Sequence, residues 1–328
     1  MIIGAQEVEA ALKGQEESVL DAVRKAYETH SRGASSLPHS SFLRFPDNDS
    51  DRIICLPAFL GDDYQLAGVK WIASVPDNVS RGIERASAVM ILNDRLTGRP
   101  TAVIEGSIIS KQRTAASAAL ASKVLARSEP GAIGFVGCGP INTSVAQFLK
   151  IAWPNVKRFV AFDLDPARAE VFGKALRVRQ PGTEFNVAEN LEDLLSECPM
   201  VAFGTTAITP YVDNLDACPA GAVILHVSLR DLSAGIILDN NNVVDDLDHV
   251  NRASTSIHLA SEQVGHTNFV HSSLGDILLG NTSLPQCDDR KVIFSPFGLG
   301  VLDLAVADLV QKKLTEEGGG TLVKSFLP

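Results

Sequence analysis

Three charged residues stand among apolar or small neighbours, where a charge is costly unless it is paired or used in chemistry. Lys70 interrupts AGVKWIAS, Arg113 opens the run RTAASAALASKVLA, and Asp231 follows LHVSLR. A lysine and an arginine can bind a carboxylate, and an aspartate can transfer protons. Each also has an ordinary structural explanation: a solvent-facing strand lysine, a helix-start arginine that reaches a carboxylate or solvent, and a capping aspartate. Spacing alone does not connect the three.

A glycine pair of the kind that binds dinucleotides lies near the middle of the chain. Gly137-Cys138-Gly139 directly follows the apolar strand AIGFV and precedes a helix predicted from about Ile141. Glycine allows a tight turn and a close backbone approach to a pyrophosphate, whose charge then lies at a helix N-terminus. The third glycine of the full motif is absent, because Asn142 stands in its place. Since two glycines often form only a turn, the motif depends on its context.

An acidic residue suited to a dinucleotide site follows in the next predicted strand. RFVAFDLD ends in Asp163, 26 residues beyond Gly137. A carboxylate there can accept hydrogen bonds from the adenosine ribose and repels a 2′-phosphate, which favours NAD over NADP. The alternative is that Asp163 only caps the next helix. Asp165, directly before Pro166, is the better cap, and we therefore expect Asp163 to be free for the ribose.

The cysteines and histidines form no recognisable motif. The five cysteines are scattered, with neither a C-x-x-C pair nor an H-E-x-x-H sequence, so we expect no metal site and no disulfide framework. His226 lies in an apolar run and is interpreted as a hydrogen-bonded core histidine. His266 and His271 are interpreted as surface or loop residues.

The elements that must position these residues follow two patterns. Apolar residues at helical spacing predict a helix over 15–32, and a β-rich stretch with a hairpin at Asp94–Pro100 precedes a small-residue helix from about Ser107 to Arg127. From Gly131, short apolar runs alternate with helix-length segments, which is typical of a parallel sheet with crossover helices. LDLAVADLVQKKLTEE predicts a C-terminal helix. The sequence thus predicts an α/β fold.

Length and charge limit the functions that the chain can have. Its 328 residues are enough for two domains. The net charge of −10 argues against nucleic acid or an anionic membrane as the main partner, but it leaves a small anionic substrate open. The sequence starts without the basic and apolar segments of a signal peptide, and it contains no run of ~18 apolar residues. We therefore expect a cytoplasmic protein.

The block from Ile91 to Ala119 contains a strand, an N-D-x-x-T-G-x-P turn, a second strand and a helix with Arg-Thr-Ala-Ala. Other distinctive segments are GVKWI, FVGCGPIN, AFDLDPARA, VVDD and FSPFGLGVLDLAVADL. Together these segments resemble the ornithine cyclodeaminase/μ-crystallin family, and the Ile91–Ala119 block is the most specific of them. The resemblance implies a Rossmann NAD-binding domain over 113–300, inserted in an α+β substrate-binding and dimerisation domain over 1–112 and 301–328. A homodimer is expected.

The resemblance also implies roles for individual residues. Asp231 and Lys70 are the expected catalytic residues. Substrate contacts are implied for Arg44, Lys70, Arg113, Phe297 and Gly298. Contacts with NAD are implied for Ser87, Arg113, Thr114, Gly137, Gly139, Pro140, Ile141, Asp163, Thr205, Thr206, Ser228 and Leu229.

Within the family, FLRFPDNDSDRIICLPAF and the run Glu84 to Ser87 most resemble the branch that makes L-2,3-diaminopropionate for siderophores and peptide antibiotics. This implies NAD-dependent cleavage of N-(2-amino-2-carboxyethyl)-L-glutamate to diaminopropionate and 2-oxoglutarate. The alternatives are an ornithine cyclodeaminase, an alanine dehydrogenase or ketimine reductase, and a crystallin-like nucleotide-binding protein without turnover. One departure weakens the ornithine reaction: Val227 to Arg230 replace the glycine-rich segment that precedes the aspartate in many cyclodeaminases.

Overall fold

The computed structural model describes residues 1–284 and 289–326, and it divides into two compact units. Unit 1 comprises Met1–Arg113 and the segment that begins at Leu299, and unit 2 is Thr114–Gly298. Cys287, one of the five cysteines considered above, lies outside the described residues. Which unit binds substrate and which binds cofactor stays a prediction at this point.

Unit 1 is built on a mostly antiparallel seven-stranded sheet. Its strands are β1 (Ile2–Ile3), β2 (Ser35–Ser36), β3 (Ser41–Phe45), β4 (Asn48–Leu60), β5 (Leu66–Ser74), β6 (Ala86–Asp94) and β7 (Pro100–Glu105). They lie in the order β1-β7-β6-β5-β4-β2, and β3 also pairs with β4. The helices are α1 (Ala5–Leu12), α2 (Glu16–Ser31), the start of α3 (Ser107–Leu125) and the C-terminal α11 (Gly300–Glu317).

The long hairpin β4–β5 positions the chemistry of unit 1. Leu66, Lys70 and Ser74 are buried on one face of β5, whereas Trp71 on the other face is 42% exposed. This alternation follows from the period of two in a strand. Helix α11 packs closely on the inner face, since a Cβ atom at Gly68 would lie 2.8 Å from the Leu304 side chain. The inner face of β5 is therefore a dry environment for its lysine.

Unit 2 is a parallel eight-stranded sheet with helices between the strands. The strands are β8 (Ala132–Val136), β9 (Arg158–Phe162), β10 (Glu184–Val187), β11 (Met200–Phe203), β12 (Val223–His226), β13 (Asn241–Val244), β14 (Val270–Ser273) and β15 (Val292–Ser295). The helices are the remainder of α3, α4 (Pro140–Ala152), α5 (Pro166–Arg179), α6 (Leu191–Glu197), α7 (Ala234–Asp239), α8 (Leu247–Val250), α9 (Ser256–Val264) and α10 (Leu274–Leu278). The order is β10-β9-β8-β11-β12-β15-β13-β14.

Strands β8 to β12 lie in the order β10-β9-β8-β11-β12, which is the order of a Rossmann fold. In this fold the earliest strand is central, and the strand order continues on its other side after the third strand. Ligands of such sheets bind where the carboxyl ends of the central strands meet. The loops after β8, β11 and β12 are therefore neighbours at one edge, which explains why residues far apart in sequence can form one cluster. The α/β prediction and the parallel sheet beyond Gly131 are confirmed.

Local predictions hold with small shifts. The helix predicted over 15–32 is Glu16–Ser31, and the small-residue helix ends at Leu125. The predicted hairpin is present between β6 and β7, where Gly98 has φ +70° and donates its N–H to the Asp94 carbonyl at 2.8 Å. Helix α3 begins at Ser107 as predicted, so Arg113 lies within the helix and not at its start, and the ordinary explanation that this arginine reaches a carboxylate is confirmed by its contact with Asp303. Of the helices that the structure describes, none is long and apolar enough to span a membrane.

Candidate functional site

The loop after β8 has the backbone geometry of a dinucleotide-binding turn. Gly137 has φ +84°, and a Cβ atom there would lie 2.8 Å from the carbonyl oxygen of Gly204 in the loop after β11. At Gly139 a Cβ atom would approach only the tip of Arg168, so that side of the loop is open. Gly139 is also the N-cap of α4, and no side chain caps this helix. Free backbone donors at a helix N-terminus form an anion site.

Asn142 explains the missing third glycine. It is completely buried, and its amide donates hydrogen bonds to the carbonyls of Val136, Gly137 and Ala202 at 3.1, 2.7 and 3.3 Å. The third glycine of the full motif serves close packing between helix and strand. Here the amide joins α4 to the ends of β8 and β11 instead. The departure from the motif thus preserves the shape of the loop.

Asp163 lies at the end of β9 beside this loop. One of its carboxylate oxygens accepts the Cys138 N–H at 2.7 Å, and the other accepts the Asp165 N–H at 3.0 Å. Asp165 caps α5 by accepting the Ala167 N–H at 3.0 Å, as predicted. The expectation that Asp163 is free is therefore wrong in part. A carboxylate has about four acceptor positions, so it can hold the glycine loop and still accept ribose hydroxyls.

Asp231 lies in a polar cluster after β12 and is completely buried. Its carboxylate accepts hydrogen bonds from the hydroxyls of Thr205 and Ser228. The Nε2 atom of His226 lies 3.2 Å from the carboxylate and 3.1 Å from the Asp231 backbone nitrogen. The other ring nitrogen faces the Ser295 hydroxyl at 3.2 Å. His226 is thus a core histidine with both nitrogens partnered, as interpreted from the sequence, but its partner is the proposed catalytic residue.

The surroundings of Asp231 keep it ionised. Burial by itself raises the pKa of Asp231, but the hydrogen bond and charge of His226, with the hydroxyls of Ser228 and Thr205, outweigh burial and hold it below its ordinary value. Burial and then the charge of Asp231 raise the pKa of the Tyr211 phenol, which stays protonated beside it. At neutral pH, Asp231 is therefore a carboxylate ready to accept a proton.

The loop that carries Asp231 contains an unusual backbone conformation. Leu229 has φ +71°, a region that side chains with a Cβ atom rarely adopt. Its side chain is buried in the apolar core of unit 2, and its carbonyl accepts the Ser256 N–H at 2.8 Å. These contacts hold a turn for which glycine is the usual residue. The absence of a glycine-rich segment before Asp231 therefore does not prevent the turn.

A second cluster, the Lys70 cluster, consists of Lys70, Ser110, Arg113 and Asp303 in unit 1. Asp303 of α11 is completely buried, and its two carboxylate oxygens lie 2.6 Å from Lys70 Nζ and 3.1 Å from Arg113 Nε. The Ser110 hydroxyl accepts from Lys70 at 3.1 Å and from Arg113 at 3.3 Å. One carboxylate thus holds two cations, and the three groups together carry one positive charge. That excess charge suits the binding of an anionic ligand.

Burial, the largest effect, and the charge of Arg113 lower the pKa of Lys70 to about 8, although Asp303 opposes them. Because only the protonated amine attracts a carboxylate, we expect kcat/KM for a carboxylate substrate to fall as pH rises through about 8. The profile is measured by steady-state kinetics on the wild type and on Lys70→Arg, whose guanidinium stays charged. The arginine variant should lose this decline, and an identical decline in both proteins would assign it to another group.

A third polar contact fixes the segment after β15. Asp245, at the end of β13, is buried and accepts the backbone N–H groups of Phe297 and Gly298 at 2.9 and 2.6 Å. Burial raises the pKa of Asp245, against the lowering effect of these hydrogen bonds. Gly298 has φ +95°, so the chain turns sharply there. Phe297 and Gly298, two of the residues expected to contact substrate, are therefore held by Asp245, a carboxylate that the sequence analysis did not identify.

The other predicted residues do not join these clusters. Arg44 is exposed on β3, with its guanidinium over the Phe42 ring at 5.8 Å. Ser87 is exposed on β6. Pro140 and Ile141 form the first turn of α4, Thr206 is exposed after β11, and Thr114 is half-buried in α3.

A sequence model of the ornithine cyclodeaminase/mu-crystallin family matches residues 1–318. The chain belongs to this family. Among curated proteins, it is similar to N-((2S)-2-amino-2-carboxyethyl)-L-glutamate dehydrogenase of Staphylococcus aureus, with 29% identity over 332 residues, which covers 99% of this chain and 98% of the relative. The family membership predicted from the Ile91–Ala119 block is confirmed.

Solved structures of ornithine cyclodeaminase/mu-crystallin relatives confirm the fold. The Δ1-pyrroline-2-carboxylate reductase of Thermococcus litoralis, in complex with NADH and L-proline, superposes with a TM-score of 0.91 at 23% identity and covers 98% of this chain and 100% of its own. An archaeal alanine dehydrogenase dimer with bound NAD has a TM-score of 0.87 at 27% identity and covers 99% of both chains. The Rossmann architecture predicted for this chain is therefore that of its relatives.

Sequence reasoning missed Asp303, Asp245 and the link between His226 and Asp231. Asp303 lies near the start of the C-terminal helix α11, among mostly apolar residues. Asp245 is the first aspartate of the VVDD segment. A carboxylate inside an apolar stretch was the available signal for both, since such groups are almost never fully buried unless paired.

Proposed function

We propose that the chain catalyses the NAD-dependent oxidative cleavage of N-(2-amino-2-carboxyethyl)-L-glutamate to L-2,3-diaminopropionate and 2-oxoglutarate. The chain is an NAD-dependent oxidoreductase acting on amino-acid CH–NH groups, as its relatives are. The observation that carries the specific reaction is the similarity to the Staphylococcus aureus dehydrogenase over the full length of both chains. In the reaction one substrate molecule, NAD⁺ and water give the two products, NADH and a proton.

The glycine loop fits the cofactor. The positive φ of Gly137, the open side of Gly139 and the uncapped N-terminus of α4 together form a cradle for a pyrophosphate. Asp163 is available to the ribose hydroxyls and disfavours a 2′-phosphate. NAD, when bound, supplies the acceptor for the hydride that leaves the substrate carbon.

The Lys70 cluster supplies carboxylate binding. The substrate carries three carboxylates, and the planar guanidinium of Arg113 suits a bidentate contact. Asp303 holds the two cations in place and cancels one of their charges. Without ligand, this carboxylate reduces the repulsion between Lys70 and Arg113. The one remaining positive charge still favours the binding of a substrate carboxylate. Fixing the substrate in this way contributes to the rate through orientation.

Asp231 supplies proton transfer. As a buried carboxylate it accepts the proton from the substrate amine as that nitrogen forms the imine. It then transfers protons as water adds to the imine carbon and the resulting carbinolamine collapses to the ketone and the free amine. Thr205, Ser228 and His226 hold the carboxylate in one orientation throughout. The same group thus acts first as a base and later as an acid.

Net formation of NADH tests this proposal against the family alternatives. Purified protein is incubated with NAD and the synthetic conjugate, NADH absorbance is followed, and products are identified by mass spectrometry. We expect one equivalent each of NADH, diaminopropionate and 2-oxoglutarate. Proline formed from ornithine without NADH would identify a cyclodeaminase instead, because that reaction returns the hydride to its product. Turnover of alanine or a cyclic imine would identify a dehydrogenase or reductase, and NAD binding without turnover would indicate a binding protein.

The proposal has two further parts. Diaminopropionate made in this way would serve siderophore or peptide-antibiotic biosynthesis, and the protein would act as a homodimer. The second part is supported by the alanine dehydrogenase relative, which is described as a dimer. Sedimentation or light scattering measures the assembly state directly.

A further inference from the structure

Arginines of β3 and β4 and of the loop before β6 lie at one end of the unit 1 sheet. In the antiparallel register Arg44 of β3 is opposite Arg52 of β4, Arg52 is opposite Ser74 of β5, and Ser74 is opposite Ala86 of β6. Residues directly opposite each other on antiparallel strands project from the same face of the sheet. Arg44, Arg52 and Ser74 therefore share a face, and Arg85, which directly precedes Ala86, lies at the same end.

The charges of these arginines oppose one another. Burial and then the charge of Arg44 lower the pKa of Arg52, and burial and then the charge of Arg52 lower the pKa of Arg85. Arg52 and Arg85 are half-buried, so water screens them only partly. Among the described residues, no carboxylate forms an ion pair with any of the three. A bound anion would remove this repulsion.

The neighbouring serine gives an independent indication of a ligand. Ser74 is only 8% exposed, and its hydroxyl has no hydrogen-bond partner among the described residues. Buried hydroxyls are nearly always hydrogen-bonded, because an unpaired one costs free energy. Its position directly opposite Arg52 places this unused donor beside the arginines. An oxyanion bound by the guanidinium would also accept this hydroxyl.

The position of this cluster relative to Lys70 defines the kind of anion. Lys70 and Ser74 are both buried on the inner face of β5, four residues apart, which corresponds to ~13 Å along a strand. A molecule with two separated carboxylates can contact both, whereas a monocarboxylate such as alanine or proline can contact only one.

We propose that Arg44, Arg52, Arg85 and Ser74 form a second carboxylate subsite, which binds the side-chain carboxylate of the glutamate part of the substrate. Arg44 is implied as a substrate residue by the family resemblance, whereas Arg52, Arg85 and Ser74 are assigned by their arrangement in the sheet. The subsite selects dicarboxylates over monocarboxylates. Its assignment to this substrate rests on the proposed function, but its preference for a separated second carboxylate does not.

The kinetic test compares two substrates in each variant. One is the glutamate conjugate, and the other is the same compound with the side-chain carboxylate replaced by a methyl group. For wild type we expect a strong preference in kcat/KM for the carboxylate form. Arg52→Gln and Arg85→Gln should each reduce this preference about 10–100-fold, since hydrogen bonds between charged groups are strong. An unchanged preference in both variants would overturn the subsite while leaving the proposed function intact.

A binding test makes the subsite independent of turnover. Thermal unfolding is followed with glutarate, with butyrate and with inorganic phosphate as probes. Glutarate should raise the melting temperature of wild type more than butyrate does, and Arg52→Gln should lose that difference. In the absence of ligand Arg52→Gln should be at least as stable as wild type, because like-charge repulsion is removed. If Arg52 only stabilised the fold, Arg52→Gln would be less stable than wild type without ligand and would keep the difference between glutarate and butyrate.

The remaining outcomes separate the two proposals. Selective glutarate binding that depends on Arg52, in a protein that does not turn over the conjugate, would support the subsite and contradict the proposed function. Phosphate binding in preference to glutarate would overturn the carboxylate assignment. Arg99→Gln is the matched control, because this exposed arginine lies in the turn at the opposite end of β6. It should leave both the substrate preference and the glutarate response unchanged.

Discussion

Asp231→Asn is expected to lower kcat by ~10²–10⁴-fold while NAD and substrate still bind, because positioned acid–base groups contribute about that factor. Asparagine has nearly the shape of aspartate, and its amide can still form hydrogen bonds with Thr205 and Ser228. It cannot accept the amine proton. The measurement is the steady-state rate of NADH formation together with the dissociation constant of NAD from fluorescence titration.

Two comparisons make the Asp231 result specific. Asp213→Asn removes an exposed carboxylate from the same unit and should retain wild-type turnover. The pH dependence of kcat gives the second comparison, because the lowered pKa of Asp231 predicts that any loss of activity on acidification occurs below the ordinary range of an aspartate. Turnover of Asp231→Asn close to wild type, with NAD bound normally, would remove this residue from the mechanism.

Asp303→Asn is expected to destabilise unit 1 by ~3–5 kcal/mol, because breaking a buried ion pair leaves an uncompensated charge. Asp303 is completely buried and holds both Lys70 and Arg113, so the variant leaves two neighbouring buried cations without a counter-charge. The loss of Asp303 should also lower the pKa of Lys70 further, since this carboxylate is the group that opposes the effect of burial. Urea unfolding monitored by circular dichroism measures the change in stability.

An exposed ion pair of the same unit offers a control for this prediction. Asp21 pairs with Lys25 at 2.8 Å on the surface of α2. Surface ion pairs contribute less than ~1 kcal/mol, so Asp21→Asn should unfold almost as wild type does. If Asp303→Asn is no less stable than Asp21→Asn, the Lys70 cluster is not an ion-pair network that stabilises the fold. A combined Asp303→Asn and Lys70→Met variant should recover part of the stability, because one of the unpaired charges is removed.

The chemistry of single residues was predictable where the chain itself supplied the surroundings. Gly137 and Gly139 lie between a strand and a helix, and Asp163 ends the next strand, so one continuous segment contained the whole motif. The unusual charges Lys70, Arg113 and Asp231 could be selected from their apolar neighbours, and all three are buried. Their roles in catalysis stay predictions until the variants are measured.

The carboxylate that pairs with Lys70 and Arg113 could not be predicted, because it comes from a distant part of the chain. Lys70 and Asp303 are 233 positions apart, and Arg113 and Asp303 are 190 apart. Arg113 shows the difficulty: the sequence allowed contact with a carboxylate or with solvent, and only the tertiary structure identifies the partner as Asp303 of α11. The expectation that Asp163 is free failed for a similar reason, since the Cys138 N–H comes from the loop after another strand.

The sequence by itself determined the alternation of strands and helices, the position of the nucleotide-binding turn and the family, because glycine placement and hydrophobic periodicity act over a few residues. Tertiary structure alone decided which carboxylate neutralises Lys70, which threonine hydroxyl lies against Asp231 and which arginines lie at the end of the sheet. Such pairings depend on strand order and helix packing, which bring together groups whose sequence neighbourhoods contain no information about each other. The charge state of each group follows from those neighbours and from the exclusion of water.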